Sequence, residues 1–397
     1  MKIINLSYSD QFGGAARSAY NIHRSLTKNK INSKMVVIKK ISKDKDVIIL
    51  NDPFYIFILK LKNYFTYMFS KFFFNGNASF NFFSNKNLVK KINLLNPDIV
   101  LIHWVHAEML SIEDIKKIKA PKILIMHDMW WLKGCKHYFN ENFKRRKLYK
   151  YNKLLDNFNL QILTDKRKKK LELNNIITPS NWLNSCVKKF INNKNVYNKV
   201  IKYPVNIDVF KPLKVNRNKK IQLLFVGFGK IDQRRKGIDL LFKILNRINS
   251  KNFELTIVGD INQEILGEFN FKIKYIKKVN SDFELNRLYN KSDILIFTSR
   301  QDNLPNVVLE AMAAGLPIVS FNIGGIKDVI SNNNNGFICD AFRIDLFAKR
   351  VDRLISNKNL RIKFKRNSRS FAINNLNYKK IGKEYISYFR RGINNGY

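Results

Sequence analysis

The chain of 397 residues is 45% apolar and 26% charged. That is ordinary globular usage, which excludes disordered, collagen-like and fibrous chains, and at about 150 residues per domain it predicts two to three domains. Lys and Arg number 73 against 30 Asp and Glu, a formal net charge of +43. Such a field concentrates nucleic acid, nucleotide phosphates or an anionic membrane and says nothing about fold. Lys and Asn also abound in connectors such as Ser331 to Asn335, so compositional drift carries part of the excess.

Residues 1 to 7, MKIINLS, read as a buried strand, too brief for a signal-peptide core and followed by no small-residue cleavage site. Export is not expected, and a cytoplasmic location is. Ile3 to Leu6 as strand, Ala15 to Thr27 as helix with Ala19, Ile22 and Leu26 on one face, and Lys34 to Ile38 as strand start a βαβ rhythm. Strands Asp98 to His103 and Lys122 to His127, with a helix from Ser111 to Lys119 between them, continue it as a doubly wound parallel sheet.

Two segments break this rhythm. Residues 53 to 74 interleave Phe and Tyr with Lys60, Lys62 and Lys71, which interrupt any run of eighteen apolar residues, so no transmembrane helix is predicted. The segment reads either as a buried aromatic helix or as an interfacial one, with Phe57 and Phe65 entering a headgroup boundary while Lys60 and Lys62 meet anionic lipid. Residues 144 to 170 carry RRK and KRKKK clusters. The three cysteines, Cys135, Cys186 and Cys339, lie far apart without metal-type or framework spacing, which suits a reducing compartment.

After about residue 205 the rhythm restarts. Strand Ile221 to Val226, helix Gly237 to Ile248, strands Glu254 to Val258 and Phe271 to Ile276, helix Asp282 to Tyr289, strand Asp293 to Phe297, helix Pro305 to Ala314 and strand Ile318 to Phe321 make a second sheet. Pro204, Pro212 and the polar run Lys214 to Lys220 mark the boundary. Domains are expected at 1–205 and 206–376, with ligands outside the carboxyl ends of both sets of strands.

Candidate chemistry sits at those ends. Gly13-Gly14 follows the first strand and opens a helix, where backbone can approach a phosphate or sugar; a tight turn alone would also explain it. A third fingerprint glycine and an acid after the second strand are missing, which disfavours nicotinamide or flavin. His127 can hydrogen-bond a sugar hydroxyl or assist proton movement, with Asp128 fixing its tautomer, or serve as a structural histidine. His103 and His106 lack a further zinc ligand, and no protein-bound metal is expected.

Residues 225 to 237, FVGFGKIDQRRKG, place Gly227 in a turn and Arg234, Arg235 and Lys236 before a helix. Basic groups there can neutralise a diphosphate and the charge that develops on it as a leaving group, the alternative being a solvated charge run. In residues 302 to 317, Pro305 suits a first helical turn and Gly315 and Pro317 a stop. Backbone N–H groups near Asn303 and Leu304 can face an anion, and Glu310 can accept from two ribose hydroxyls. Gly324-Gly325 permits another close approach.

The segments GGAARSAYNIHRSL, HDMWWLKGCKHY, TPSNWL, FVGFGKIDQRRKGIDLL and SRQDNLPNVVLEAMAAGLPIVSFNIGG together resemble the retaining nucleotide-sugar glycosyltransferases of the GT-B fold, glycosyltransferase family 4, over nearly the whole chain. The resemblance implies two Rossmann-like domains facing a central cleft, the C-terminal one holding the donor. It implies α-retaining transfer from a nucleoside diphosphate sugar to a hydroxyl, with neither a metal nor a resident cofactor. Carried over by motif, Glu310 binds the ribose, Lys236 the diphosphate, His127 the donor sugar, and Gly13-Gly14 the phosphate and acceptor side. The final helix, in 377–397, crosses back to the N-terminal domain.

Two departures stand out. Asp302 replaces the first Glu of the family's acidic pair, one methylene shorter, which rearranges its contact with donor sugar hydroxyls. Phe228 stands where the family often has Arg, and Lys230 is the candidate substitute, a point charge rather than a bidentate guanidinium. The expected partners are a nucleotide-sugar donor, a glycan or lipid-linked acceptor and an anionic membrane surface, the last making the protein peripheral at the cytoplasmic face. Rival readings are a basic nucleic-acid binder, against which the motif order argues, and an epimerase or phosphorylase on the same architecture.

Overall fold

Buried apolar runs of four to six residues, each too short for a helix, form most of the strands of two parallel sheets in the computed structural model. Residues 1–74, 78–132, 134–138, 168, 171, 174–191, 196–216, 219–227, 233–261 and 271–394 are described. The chain divides into two compact units, Met1–Lys202 with Gly382–Tyr397, and Tyr203–Ile381.

The first unit carries β1 (Lys2–Leu6), β2 (Asn32–Val36), β3 (Val47–Ile48), β4 (Ile99–Ile102), β5 (Lys122–Ile125), β6 (Asn175–Thr178) and β7 (Tyr197–Val200). They pair in parallel in the order β3-β2-β1-β4-β5-β6-β7. The second unit carries β8 (Ile221–Val226), β9 (Phe253–Val258), β10 (Ile273–Ile276), β11 (Ile294–Phe297), β12 (Ile318–Phe321) and β13 (Gly336–Cys339). Their order is β10-β9-β8-β11-β12-β13, again parallel. Each sheet reverses its winding once, between β1 and β4 and between β8 and β11. Those switch points leave a crevice outside the strands' carboxyl ends.

Amphipathic helices cover the sheets. Gly14–Lys28 buries Ala19, Ile22 and Leu26 on one stripe, and Ile238–Leu245 buries nearly its whole surface. The last helix, Tyr378–Asn394, runs from Gly382 onward in the first unit. A Cβ on Gly382 would stand 2.2 Å from Asn29 Nδ2 and 2.5 Å from the Ser25 carbonyl, so only glycine lets this backbone lie against helix Gly14–Lys28. The Tyr388 ring stacks on Tyr197 at 5.2 Å, and its hydroxyl donates to the Tyr197 carbonyl at 3.4 Å.

Several boundaries differ from the expected ones. β2 starts at Asn32 rather than Lys34, and Val37 and Ile38 leave the ladder to donate to the Ile48 and Tyr8 carbonyls. The helix expected over Ser111 to Lys119 is Ile112–Lys116, with Ser111 outside it in a reciprocal cap with Asp114. Pro305 precedes helix Asn306–Ala313 instead of sitting in its first turn. Its ψ of 126° is extended, and its carbonyl accepts from the N–H groups of Val308 and Leu309.

Candidate functional site

In the second unit the residues singled out by sequence gather at the β8/β11 switch point. β8 ends at Val226, and Gly227 follows; a Cβ there would stand 3.7 Å from the Lys236 Cβ. Helix Gln233–Lys236 is clasped by the segment after β11: Thr298 Oγ1 donates to the Gly237 carbonyl at 2.8 Å, Ser299 Oγ to that of Arg235, and the Arg300 N–H to that of Arg235 at 2.7 Å. Gly237 turns the chain in the left-handed region at φ 71°, where a Cβ would meet the Thr298 carbonyl oxygen at 2.1 Å. The glycine is therefore required for the clasp.

This clasp aims Lys236 at Asp302. Lys236 Nζ lies 2.6 Å from Asp302 Oδ2 and Arg235 Nη1 3.6 Å from the same oxygen. Burial alone would raise the Asp302 carboxyl. The charges of Lys236 and Arg235, with hydrogen bonds from Lys236 and the Asn303 N–H, outweigh it and hold the group below the ordinary carboxylate range. The Asn303 N–H thus serves the Asp302 carboxylate. Gly324, at φ 48°, brings the turn after β12 against this loop, since a Cβ there would overlap the Asp302 carbonyl; the Gly325 N–H donates to the Asn303 carbonyl at 2.7 Å.

Leu304 is buried, and Pro305 holds the entry to helix Asn306–Ala313. Glu310, inside that helix and buried, accepts from the Tyr289 hydroxyl at 3.0 Å. Lys230, with Phe228, lies outside the described residues, as does all of 144–170 except Lys168. Three contacts had no sequence signal: the Arg300–Asp239 pair, bidentate at 2.7 and 2.6 Å, the Thr298 clasp, and the Tyr289–Glu310 bond.

In the first unit, Gly13 follows β1 at φ 91° with nothing within 4 Å of where its Cβ would be, and Gly14 opens the helix. His127 follows β5 and is buried. Its Nε2 lies 3.1 Å from His103 Nδ1, and burial pushes its pKa down to about 4, so the ring is neutral at neutral pH.

Asp128 does not set the His127 tautomer. Its Oδ2 lies 2.7 Å from His137 Nδ1, and its Oδ1 accepts the Trp130 N–H at 2.9 Å. Neighbouring side chains at a strand end leave in different directions, which separates the two. Burial would raise Asp128, but His137 beside it and the Trp130 N–H bring it down to about 2. His137 Nε2 in turn meets Ser79 Oγ at 2.9 Å, tying the loop after β5 to residue 79. His106 packs edge-on to Trp104, Trp130 and His137. Among the described residues no group of three or more His, Cys, Asp and Glu is placed to hold a metal ion.

Helix Pro53–Phe74 is not the buried aromatic helix. Leu59 and Ser70 face inward, while Phe54, Phe57, Phe65 and Phe72 are 73%, 58%, 67% and 80% exposed, with Leu61, Tyr64 and Met68 also outside. Lys60 is exposed, and Lys62 lies over the Tyr55 and Phe83 rings. Among the described residues no helix is long and apolar enough to cross a membrane.

Residues 212–371 match the family model described as glycosyl transferases group 1. An uncharacterized glycosyltransferase of Haemophilus influenzae is 33% identical over 144 residues, 34% of this chain and 40% of that protein. The capsular polysaccharide biosynthesis glycosyltransferase CapM of Staphylococcus aureus is 26% identical over 164 residues, 39% of this chain and 42% of its own. The chain thus spans about 40% of the length of these curated relatives. The Anabaena Alr3699/HepE structure in complex with UDP-glucose superposes with a TM-score of 0.68 at 13% identity, over 98% of this chain and 100% of that one. This likeness shows the fold, which is GT-B: two Rossmann-like parallel-sheet domains.

Proposed function

We propose that the chain is a retaining glycosyltransferase that moves a sugar from a nucleoside diphosphate sugar to a hydroxyl of a glycan or lipid-linked acceptor, without a bound metal, in surface polysaccharide synthesis. The observation that carries this reading is the Lys236–Asp302 pair, set beside Gly227 at the β8/β11 switch point. It is a cation at the place where open parallel sheets bind nucleotides. The group 1 match over this unit, the UDP-glucose held by HepE and the capsular role in CapM's name support the donor and product classes.

In this reading Lys236, with Lys230, neutralises the diphosphate, Glu310 holds the ribose hydroxyls, and Asp302 anchors Lys236 and accepts from sugar hydroxyls. The backbone at Asn303, Leu304 and Pro305 lines the donor. His127 meets the donor sugar and Gly13-Gly14 the phosphate and acceptor. The bond from the sugar's anomeric carbon to the phosphate oxygen breaks as the acceptor oxygen bonds that carbon on the same face. A phosphate oxygen takes the acceptor's proton, and the nucleoside diphosphate leaves. A thermal-shift screen of nucleoside diphosphates and their sugars, followed by product analysis, tests this; a nucleoside diphosphate is expected to raise the melting temperature and transfer to conserve the anomeric configuration. No shift and no transfer with any donor overturns the reading.

The same reading places the protein at the cytoplasmic membrane face through helix Pro53–Phe74, whose exposed aromatic stripe carries Lys60, Lys62 and Lys71 and no acid. Flotation with anionic vesicles at low salt is expected to carry the protein up, and Phe57→Ser with Phe65→Ser to leave most of it behind. Failure of the unaltered chain to float ends this part.

A further inference from the structure

Helix Gln233–Lys236 is a single turn, which leaves its carbonyls without intrahelical donors and gives it little hold of its own. The stretch after β11 supplies the donors. Arg300 Nη1 donates to the Arg234 carbonyl at 2.6 Å, the Arg300 N–H and Ser299 Oγ to that of Arg235 at 2.7 and 3.2 Å, and Thr298 Oγ1 to those of Lys236 and Gly237 at 3.3 and 2.8 Å. The same Arg300 guanidinium forks onto Asp239, Nη1 to Oδ1 at 2.7 Å and Nη2 to Oδ2 at 2.6 Å. Asp239 stands in the first turn of helix Ile238–Leu245, whose extensive burial fixes it in the unit. Arg300 therefore spans Gly237, gripping Arg234 before it and Asp239 after it. Gly237 is the joint that needs such a strut, because at φ 71° and without a side chain nothing of its own restrains the backbone. Lys236 precedes this joint and reaches Asp302 at 2.6 Å, and Asp302 belongs to the stretch that carries Arg300. The cation and its carboxylate thus stand on the two segments that Arg300 joins.

We infer that Arg300 and Asp239 are positioning residues that hold the Lys236 ammonium in place by bracing the Gly237 turn. The inference rests on the glycosyl-transfer reading, in which Lys236 meets the charge that develops on the departing diphosphate, and a cation already in place meets it without rearranging. Arg300 acts through Lys236, so losing its fork lowers turnover more than donor affinity. The competing account is a partly exposed ion pair of small worth.

The test joins a measurement without substrate to one with it. In the full chain, a small water-soluble acylating reagent at limiting concentration is expected to label Lys236 slowly, because its ammonium is held against Asp302. Peptide mass mapping reads this label against that on the exposed Lys243. Arg300→Met and Asp239→Asn are each expected to raise labelling of Lys236 several-fold and to leave that of Lys243 unchanged. Arg300→Lys should fall between, since one ammonium cannot keep both grips. In steady-state transfer, Arg300→Met is expected to lower kcat roughly 10- to 100-fold, the scale of a slightly misplaced catalytic group, with the donor KM nearly unchanged. In the Lys236→Ala background the same substitution should cost under about twofold more. An ion pair with no positioning role would leave the labelling as it is, and a general loosening of the unit would lower kcat equally in both backgrounds; either result overturns the inference. Should the unaltered chain transfer no sugar from any donor, the proposed function fails, while the labelling of Lys236 still decides whether Arg300 and Asp239 hold it.

Discussion

The two switch points solve different electrostatic problems. Beside β8 and β11 the polar groups are ions: Lys236 and Arg235 converge on Asp302, and Arg300 pairs with Asp239 on the adjoining turn. Beside β1 and β4 they are neutral: His103 and His127 are stripped of charge by burial and bonded to each other, with Asn5 on the other ring nitrogen of His103. Under the proposed function, a cation held by a single carboxylate exchanges it for a phosphate, whereas a chain of neutral donors and acceptors suits hydroxyls, which bring no charge into a dry site. One doubly wound plan thus carries two kinds of polar cluster, decided by the side chains at the carboxyl end of each strand.

The largest test of this contrast is Lys236→Ala. Removing the ammonium from a leaving diphosphate is expected to lower kcat roughly 10²- to 10³-fold, measured as steady-state transfer; unchanged kinetics would take Lys236 out of the mechanism and the contrast with it. The neutral half is tested by pH. His23 and His127 are both pushed by burial to about 4 from 6.5, so between those values the unfolded chain binds protons that the native chain refuses. Stability is therefore complete above 6.5 and lost progressively as pH falls to 4, by on the order of 2–3 kcal/mol per ring. Asp128, held at about 2 against 3.8, adds a loss of the same sign below 3.8. Urea unfolding from about pH 7.5 to about pH 4.5 should show the decline, with a shallower slope in His127→Asn; a flat profile would mean that these rings are not buried neutral. The smallest effect is expected from Arg300→Lys, which turns a fork into a point charge on a partly exposed pair. It should cost under about 1 kcal/mol in the same assay.

Much of the second sheet was legible because its strands bury both faces. β8 and β12 begin and end at the residues that the apolar runs mark, Ile221 to Val226 and Ile318 to Phe321. β7 was not, since Tyr197–Val200 lies at the sheet edge with an exposed Tyr197 and Lys199, and β13 hid behind an Asn-rich connector. Adjacent turn residues were readable in the same way: Lys236 beside Gly237 declares a clasped cation. The partner of His127 was not, because His103 stands 24 residues away and Asn5 a further 98 from His103, brought together only by the neighbouring places of β1, β4 and β5. Sequence adjacency pointed instead to Asp128, which serves His137.

The last helix has a consequence for biosynthesis. Strand β7 ends the first sheet, and Tyr197 on it stacks against Tyr388, a residue translated after the whole of Tyr203–Ile381. On the ribosome the earlier-made lobe must therefore wait, its outermost strand unguarded, until the later-made lobe has been synthesised, the reverse of the usual N-terminal-first completion. A nascent chain stalled before Tyr378 would present β7 without the Tyr388 contacts that tie it to the last helix.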